Sequence, residues 1–259
     1  MILTADYHTH TPFSHGKSTV LENAESAKRE GLKEIAIADH GYTHIVFGLR
    51  RRKIKEYRAQ CEEATKKTGV KVLVGIEANV LGEAGHSDLK ESDFEDFDVY
   101  LCGTHICVWY EPFFSQFFKF FARNYSTEKL HLKHSDRLIA MNTRAYCNTV
   151  KNNPIDVLTH VNYLCKCNSL EVAKVASDYG TYLELNSKKT HFTDEELMDM
   201  ALKTSVRFVI NSDAHSADRV GEISRVKEQL ERINFPLDRI DNIDGRFPNF
   251  RFKEFKQRL

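Results

Sequence analysis

The stretch Thr4-Ala5-Asp6-Tyr7-His8-Thr9-His10 joins a short β-type run to two histidines that lie two residues apart. In an extended backbone, residues two apart point to the same side, so His8 and His10 can reach one metal ion together. The stretch therefore predicts a first strand over residues 4–8 that ends in a metal-binding pair. A lone His-x-His pair is weak evidence, so the rest of the chain decides its meaning.

Short apolar runs of this kind alternate with amphipathic stretches through most of the 259 residues. Several runs are continuously apolar, which is typical of strands buried on both faces of a parallel sheet. We predict strands at 4–8, 34–38, 71–78, 98–103, 156–160, 181–185 and 207–211. We predict helices at 20–30, 50–68, 142–151, 169–179, 193–203 and 222–232. Ser169 and Thr193 are the expected caps of two of these helices, because acidic residues follow them in the first turn.

Seven strands that alternate with helices form either a barrel or an open doubly wound sheet. No Gly-rich dinucleotide loop follows the first strand, which favours the barrel. We expect a single domain over residues 1–259, without a linker or an internal repeat. Residues 107–137 are too long for an ordinary connection and predict a helical insertion beside the barrel mouth. The insertion is rich in aromatic residues, which we expect to form a local core: Phe113, Phe114, Phe117, Phe118, Phe120 and Phe121.

Charge and composition exclude some classes of protein. Lys+Arg and Asp+Glu both number 37, and this neutral balance argues against stable binding to a nucleic-acid backbone. No apolar run approaches the roughly 20 residues that span a bilayer, so we expect no membrane association. The N-terminus shows no secretory pattern, so we expect a cytoplasmic protein whose six cysteines are reduced thiols. The sequence does not reveal the oligomeric state, and a homo-oligomer stays an open alternative.

Metal-ligand residue types recur where the predicted strands end. Seven of the twelve histidines, one glutamate and one aspartate lie at these C-terminal ends. They are His8, His10, His15, His40, Glu77, His105, His160, Asp213 and His215. The C-terminal face of the strands is where barrels build active sites. Imidazole and carboxylate ligands without thiolates suit zinc, manganese or iron in hydrolysis, rather than a closed structural zinc site.

Four motifs at these strand ends resemble those of the PHP (polymerase and histidinol phosphatase) family. They are Asp6-Tyr-His-Thr-His10, Ala38-Asp-His-Gly41, Gly75-Ile-Glu-Ala-Asn79 and Ser212-Asp-Ala-His215. The motifs occur in order over nearly the whole chain. Leu183-Glu-Leu-Asn186 and Arg219-Val-Gly-Glu222 make the chain most similar to stand-alone bacterial PHP phosphatases.

The resemblance implies a distorted (β/α)7 TIM-like barrel with three divalent metal ions, whose identity among zinc, manganese and iron is left open. Carried over by motif, one ion is held by His8, His10, Glu77 and Asp213. A second ion is held by Glu77, as a bridging carboxylate, with His105 and His160. The third is held by His15, His40 and His215. All nine positions carry the expected residue type.

Other polar residues near the predicted site are candidates for roles beside metal binding. Asp6 and Asp39 are interpreted as carboxylates that orient ligand imidazoles, the alternative being plain strand-end or cap residues. His44 lies near the predicted mouth and is a candidate for substrate contact. Candidate phosphate-binding cations are Arg50, Arg51, Arg52, Lys188 and Lys189, although such charge runs are often solvated helix faces.

The leading functional hypothesis is a phosphatase that hydrolyses a small phosphorylated metabolite, a phosphomonoester, with metal-activated hydroxide. A second hypothesis within the family is a histidinol-phosphate phosphatase. A third is phosphodiester or nucleic-acid end processing, against which the neutral charge argues. The fourth is a metal-stabilised binding protein without turnover, in which the aromatic insertion is the contact face. An amidohydrolase-like enzyme is also compatible with the ligand types, but its additional barrel lysine is not found.

Overall fold

The computed structural model describes residues 1–110 and 117–259. Seven strands form one parallel sheet whose spatial order follows the chain. They are β1 (Ala5–Thr9), β2 (Glu34–His40), β3 (Lys71–Asn79), β4 (Val99–Gly103), β5 (Val157–Leu158), β6 (Tyr182–Asn186) and β7 (Phe208–Asn211). All seven predicted strands are confirmed, with boundaries that differ by about two residues at most.

Helices connect the strands and cover the outside of the sheet. In the described residues they are α1 (Val20–Arg29), α2 (Ile54–Thr68), α3 (Arg123–Lys129), α4 (Asp136–Asn152), α5 (Ser169–Tyr179), α6 (Asp194–Lys203), α7 (Ser224–Arg232) and α8 (Arg251–Lys256). Thr193 caps α6 with a full capping box, as predicted. Ser169 is not the cap of α5, because the Asn168 side chain accepts the Glu171 N–H and Ser169 is already helical. Helix α4 starts earlier than predicted, after the Ser135 cap.

The two edge strands of the sheet meet and nearly close a barrel. Thr9 forms a parallel bridge with Ala214, just after β7, and the His10 N–H donates to the Ala214 carbonyl at 2.8 Å. The Tyr7 N–H donates to Asn211 Oδ1 at 3.0 Å. The five inner strands are therefore paired on both sides, and the two edge strands are joined to each other by this bridge. This confirms the predicted distorted (β/α)7 barrel and excludes an open sheet.

Alternate side chains of each strand supply two separate apolar cores. Ala36 and Ala38 belong to a small cluster inside the barrel, whereas Ile35 and Ile37 belong to the large cluster under the helices. Phe250, from the C-terminal segment, packs its ring 4.8 Å from that of Tyr7 and contributes to the interior cluster. The side chains of this cluster and the Phe250 ring fill one end of the barrel interior. The other end, at the C-terminal ends of the strands, is left for polar side chains.

Within the predicted insertion, residues 117–129 are helical, whereas residues 107–110 are not and Val108 forms an antiparallel bridge with His44. A π-helical stretch, Phe117–Ala122, leads directly into α3. Asn124 and Asn142 exchange side-chain hydrogen bonds of 2.7 and 2.8 Å and tie the insertion to α4. Phe120 is buried but Phe118 is 60% exposed, so only part of the predicted aromatic core is seen; Phe113 and Phe114 lie outside the described residues.

Across residues 1–110 and 117–259, no helix has the length and apolarity that a membrane span requires.

Candidate metal centre

An irregularity in β1 aims both histidines of the opening motif into the barrel. Ala5 and Tyr7 already face the interior, and the pairing of β1 with β2 shifts register between Asp6 and Thr9. A bulge of this kind re-aims the side chain that follows it. His8 and His10 are both fully buried, and their Nε2 atoms lie 3.1 Å apart.

The carboxylate of Glu77 lies at the centre of the site. Glu77 has the same strand parity as the interior residue Leu73 and is fully buried. Oε1 lies 2.7 Å from His160 Nε2, 3.1 Å from His105 Nε2 and 3.2 Å from His8 Nε2. Oε2 lies 2.8 Å from His40 Nδ1. One carboxylate therefore joins side chains from β1, β2 and the ends of β4 and β5.

Three further side chains complete the cluster toward solvent. Asp213, which has a positive φ of 51°, places Oδ1 at 3.5 Å from His10 Nε2. The ring centroid of His15 lies 4.8 Å from that of His40 and 4.3 Å from that of His215. The structure thus brings all nine predicted ligand positions into one cluster.

The chemistry of the cluster fits divalent metal ions. Three triads have ligand atoms close enough to share an ion: His8, His10 and Asp213; His40, Glu77 and His105; and His10, His40 and His215. Several buried polar atoms of the nine-residue cluster make no hydrogen bond of acceptable geometry among the described residues, although Glu77 Oε2 and His105 Nε2 lie within ion-pair distance of other cluster atoms. These atoms are His10 Nδ1, His15 Nδ1, Glu77 Oε2, His105 Nε2 and His160 Nδ1. Buried polar atoms are otherwise nearly always satisfied, and a bound cation would satisfy the ones that face the cluster.

Mutual electrostatics control the charges of these groups. Burial alone would raise the pKa of Glu77, but the neighbouring His105 and His8 hold it well below its usual value. Burial disfavours charge on His8, yet the carboxylates of Glu77, Glu184 and Asp213 raise its pKa well above normal. Burial, reinforced by His215 and His40, lowers the pKa of His15 to about 3. Glu77 is thus ionised and His15 is neutral, as metal ligands must be. His8 is protonated without an ion and would release this proton when a metal binds.

Glu184 is the main buried contact that the sequence analysis missed. Its carboxylate lies 2.7 Å from His8 Nδ1 and accepts the His160 N–H at 2.8 Å. Asn79 Oδ1 similarly lies 2.8 Å from His105 Nδ1. Such contacts fix the tautomer and direction of an imidazole, so that its other nitrogen faces the cluster. The signal in the sequence was strand parity, because Glu184 follows the interior residue Tyr182 by two positions.

The two aspartates predicted to orient imidazoles have other contacts. Asp6 accepts from Ser212 Oγ at 2.5 Å and from the Gly221 N–H at 3.0 Å, and thereby anchors the segment after β7. Asp39 accepts from the Thr11 N–H at 2.8 Å and from Thr11 Oγ1. Its distance from His10 Nδ1, 3.9 Å, is too long for a hydrogen bond. Asp6 and Asp39 lie on the outward side of their strands, so their carboxylates face away from the cluster. They instead hold the loops that carry predicted ligands.

A cavity of about 450 Å³ opens above the cluster. Lys188 Nζ lies 3.2 Å from both Asp213 Oδ1 and His215 Nδ1. Lys189 also lines the cavity, as does Arg225, which the sequence analysis did not single out. His44 lies there too, stacked 4.9 Å from the His40 ring. Burial and the nearby His40 lower the pKa of His44 to about 3, so this ring is neutral.

The arginine candidates lie elsewhere. Arg51 pairs with Asp93, and its guanidinium lies 4.0 Å above the centre of the Tyr42 ring. Arg50 lines a separate cleft beside Phe13 and Lys53. Neither arginine lines the cavity above the cluster. The charge run at residues 50–52 lies in and before a 3-10 turn, Arg51–Lys53, that precedes helix α2, and Arg52 does not line the cavity either.

Comparisons with known proteins identify similar chains. Residues 6–188 match the PHP domain family. A protein of Caldanaerobacter subterraneus subsp. tengcongensis described as a probable phosphatase is 29% identical over 93% of this chain and 87% of its own. A probable phosphatase of a Thermoanaerobacter species is 27% identical over 100% of this chain and 98% of its own.

Among solved structures, the chain resembles the histidinol phosphate phosphatase of Lactococcus lactis, crystallised with zinc, L-histidinol and phosphate. The TM-score is 0.59 at 16% identity, and the alignment covers 91% of this chain and 95% of the other. At this identity the likeness is one of fold: both are barrels of the same distorted type.

Proposed function

The chain belongs to the PHP domain family, and from this premise we propose that it hydrolyses a small phosphomonoester at a centre of three divalent metal ions. It is a metal-dependent hydrolase of phosphoric esters. Beyond this activity, we propose three ions, each zinc, manganese or iron, and a small phosphomonoester as the substrate. The observation that carries the proposal is the cluster of nine imidazole and carboxylate side chains at the C-terminal end of the barrel, with its unpartnered buried atoms.

The proposed ligand sets follow the family motifs. His8, His10, Glu77 and Asp213 would hold one ion, and Glu77 with His105 and His160 would hold a second. His15, His40 and His215 would hold the third. The spacing of these side chains supports the sets, since Glu77 Oε1 lies within 3.2 Å of His8, His105 and His160 nitrogens. His40 is also near Glu77, so it can belong to either of two neighbouring ions.

Each part of the site has a separate task in hydrolysis. Divalent ions supply an acidified water and neutralise phosphate oxygens when they are bound. Glu184 and Asn79 keep the His8 and His105 rings in position. Lys188 is the cation nearest the cluster and would donate a charge-assisted hydrogen bond to a phosphate oxygen. Lys189 and His44 lie further along the cavity and would contact the remainder of the ester.

We further propose that residues 1–259 form one catalytic domain in the cytoplasm. The family match ends at residue 188, but β7, Asp213 and His215 lie beyond it. The C-terminal residue Phe250 packs against Tyr7 inside the barrel. The last 71 residues are therefore needed both for closure of the barrel and for the ligand cluster.

The test is hydrolysis of para-nitrophenyl phosphate and of bis(para-nitrophenyl) phosphate by chelator-treated protein that is resupplied with zinc, manganese or iron. We expect metal-restored turnover of the monoester that exceeds turnover of the diester. The control is the His8→Ala/His10→Ala variant, which should lose turnover with every metal. Faster hydrolysis of the diester than of the monoester would favour nuclease-like chemistry instead. Bound metal without turnover of either ester would contradict an enzyme of this class.

A further inference from the structure

The cavity above the metal cluster has two chemically different sides. Lys188 and Lys189 follow β6 and Arg225 follows β7, so the cations lie on one side of the mouth. Phe47 follows β2 and Ile106 follows β4, so these apolar side chains lie on the other side of a barrel whose strands run in order. A phosphate bound beside Lys188 would therefore direct its ester group toward Phe47 and Ile106.

The apolar side is exposed, although apolar side chains of this size are usually buried. Phe47 is 40% exposed and Ile106 is 38% exposed, and both line the cavity. The Phe47 ring stacks 4.7 Å from that of His15, at the edge of the ligand cluster. Exposed apolar side chains that line a cavity next to a polar cluster mark the place where an apolar part of a ligand binds.

The two loops that carry these residues form one rigid wall. The Ile45 N–H donates to the Cys107 carbonyl at 2.8 Å, and the Trp109 N–H donates to the Thr43 carbonyl at 2.8 Å. His44 and Val108 form an antiparallel bridge between them. Because the backbones are hydrogen-bonded, Phe47 and Ile106 are held in position before a ligand arrives, which favours specific binding.

Within residues 1–110 and 117–259, the cavity lining offers no carboxylate outside the metal triads for a positively charged leaving group. Among the described residues that line it, the carboxylates are Glu77 and Asp213, and both belong to the candidate metal triads. Lys188, Lys189 and Arg225 would instead repel an ammonium group. An amine would therefore lose its hydration without gaining a counter-charge.

We infer that the leaving group of the substrate is a flat, apolar group without positive charge, held against Phe47 and Ile106. This inference rests on the proposed phosphomonoesterase function and names its substrate class. In the reaction, the P–O bond to the alcohol breaks, water supplies the new oxygen on phosphorus, and the alcohol leaves with a proton. The same reasoning disfavours histidinol phosphate, whose leaving alcohol carries an amine.

The test compares esters whose leaving alcohols have similar acidity, so that intrinsic reactivity does not decide the result. For metal-loaded protein we expect kcat/KM for benzyl phosphate to exceed that for ethyl phosphate about tenfold or more. Phosphoethanolamine and histidinol phosphate should both be poorer substrates than benzyl phosphate. In Phe47→Ala and in Ile106→Ala, the benzyl-to-ethyl ratio should fall to about threefold or less.

Two controls keep this result interpretable. Leu202→Ala removes an equally apolar, 71% exposed side chain on α6, far from the cavity, and should leave the ratio unchanged. The ratio within one variant is independent of partial metal loss, and metal content is measured beside it. A wild-type ratio near one, a preference for an amine ester, or a ratio unchanged in both wall variants overturns the inference while the phosphatase stands. Absence of hydrolysis of every monoester overturns the proposed function and the inference with it.

Discussion

Glu184 shows how one buried side chain can organise several parts of a site. Besides His8 Nδ1 and the His160 N–H, its carboxylate accepts from Asn186 Nδ2 at 3.0 Å and from Asn211 Nδ2 at 2.9 Å. Burial would raise the pKa of Glu184, but His8 keeps it below its usual value, so the carboxylate is ionised. An ionised acceptor on Nδ1 leaves His8 Nε2 free to face the metal cluster.

Replacement of this carboxylate should weaken metal binding. We expect Glu184→Gln to lower metal affinity about 10- to 100-fold, because an amide holds the His8 tautomer less firmly. Competition with a fluorescent chelator measures the affinity directly. Glu171→Gln, on the exposed surface of α5, is the matched control and should have no effect. An unchanged affinity in Glu184→Gln would mean that Glu184 only supports the fold.

Lys188 and Arg51 allow the two predicted groups of phosphate-binding cations to be separated. Lys188→Ala should lower kcat/KM about 10- to 100-fold, since one charge-assisted hydrogen bond to phosphate contributes about 1.5–3 kcal/mol. Arg51→Ala should change kcat/KM by less than about twofold, because Arg51 pairs with Asp93 outside the cavity. Steady-state kinetics with one monoester test both variants, with metal content as the control. A larger effect in Arg51→Ala would contradict the position of Arg51 outside the cavity.

At the scale of the strands, the sequence predicted the elements better than their irregularities. Short apolar runs located all seven strands to within about two residues. The register shift in β1 was not predictable, because a bulge depends on pairing with β2 and leaves no local signal. The same limit applies to Asp6 and Asp39, whose partners come from Ser212 and Thr11 and are known only once the chain is folded.

Asp156 joins three elements below the active site. It lies just before β5, and its carboxylate accepts the Tyr100 N–H of β4 at 3.0 Å and the Phe252 N–H of α8 at 2.8 Å. Burial raises the pKa of Asp156 to about 7, although these two hydrogen bonds oppose the rise. The folded protein therefore retains this proton at pH values where the unfolded chain, with its ordinary pKa near 3.8, releases it.

This difference makes stability fall with rising pH over a defined range. Below about pH 4 both states are protonated, and between about pH 4 and 7 stability is lost, to a total of about 2–4 kcal/mol. Asp156→Asn cannot ionise, so its free energy of unfolding should depend less on pH across this range. Urea unfolding of chelator-treated protein at pH 5 and pH 8 measures the difference. Asp178→Asn, an exposed change on α5, should retain the wild-type pH dependence.

At the scale of the whole molecule, the sequence located the ligand cluster because the fold gathers all strand ends at one face. Each predicted ligand lies near the C-terminal end of a strand or in the segment after it, so correct strands and a closed barrel were enough to bring residues from His8 to His215 together. The cavity was less predictable, since its walls are loops. Arg225, for example, lies ten residues after His215 on the exposed surface of α7, and its guanidinium lines the cavity and donates to the carbonyl of Lys188.

The cluster also links the stability of the barrel to its metal ions. His8 and His10 at the end of β1 and Glu77 on β3 are fully buried, and His10 Nδ1 and Glu77 Oε2 make no hydrogen bond among the described residues. Metal ions that bind only the folded state stabilise it, by about 2.7 kcal/mol at a concentration 100 times Kd. For a chain of this length, removal of the metal should therefore lower Tm by about 5–10 °C, and readdition should restore it. Differential scanning calorimetry measures the shift, and His8→Ala/His10→Ala should show a much smaller one. A Tm that does not change after verified metal removal would mean that protein contacts alone hold these strand ends together.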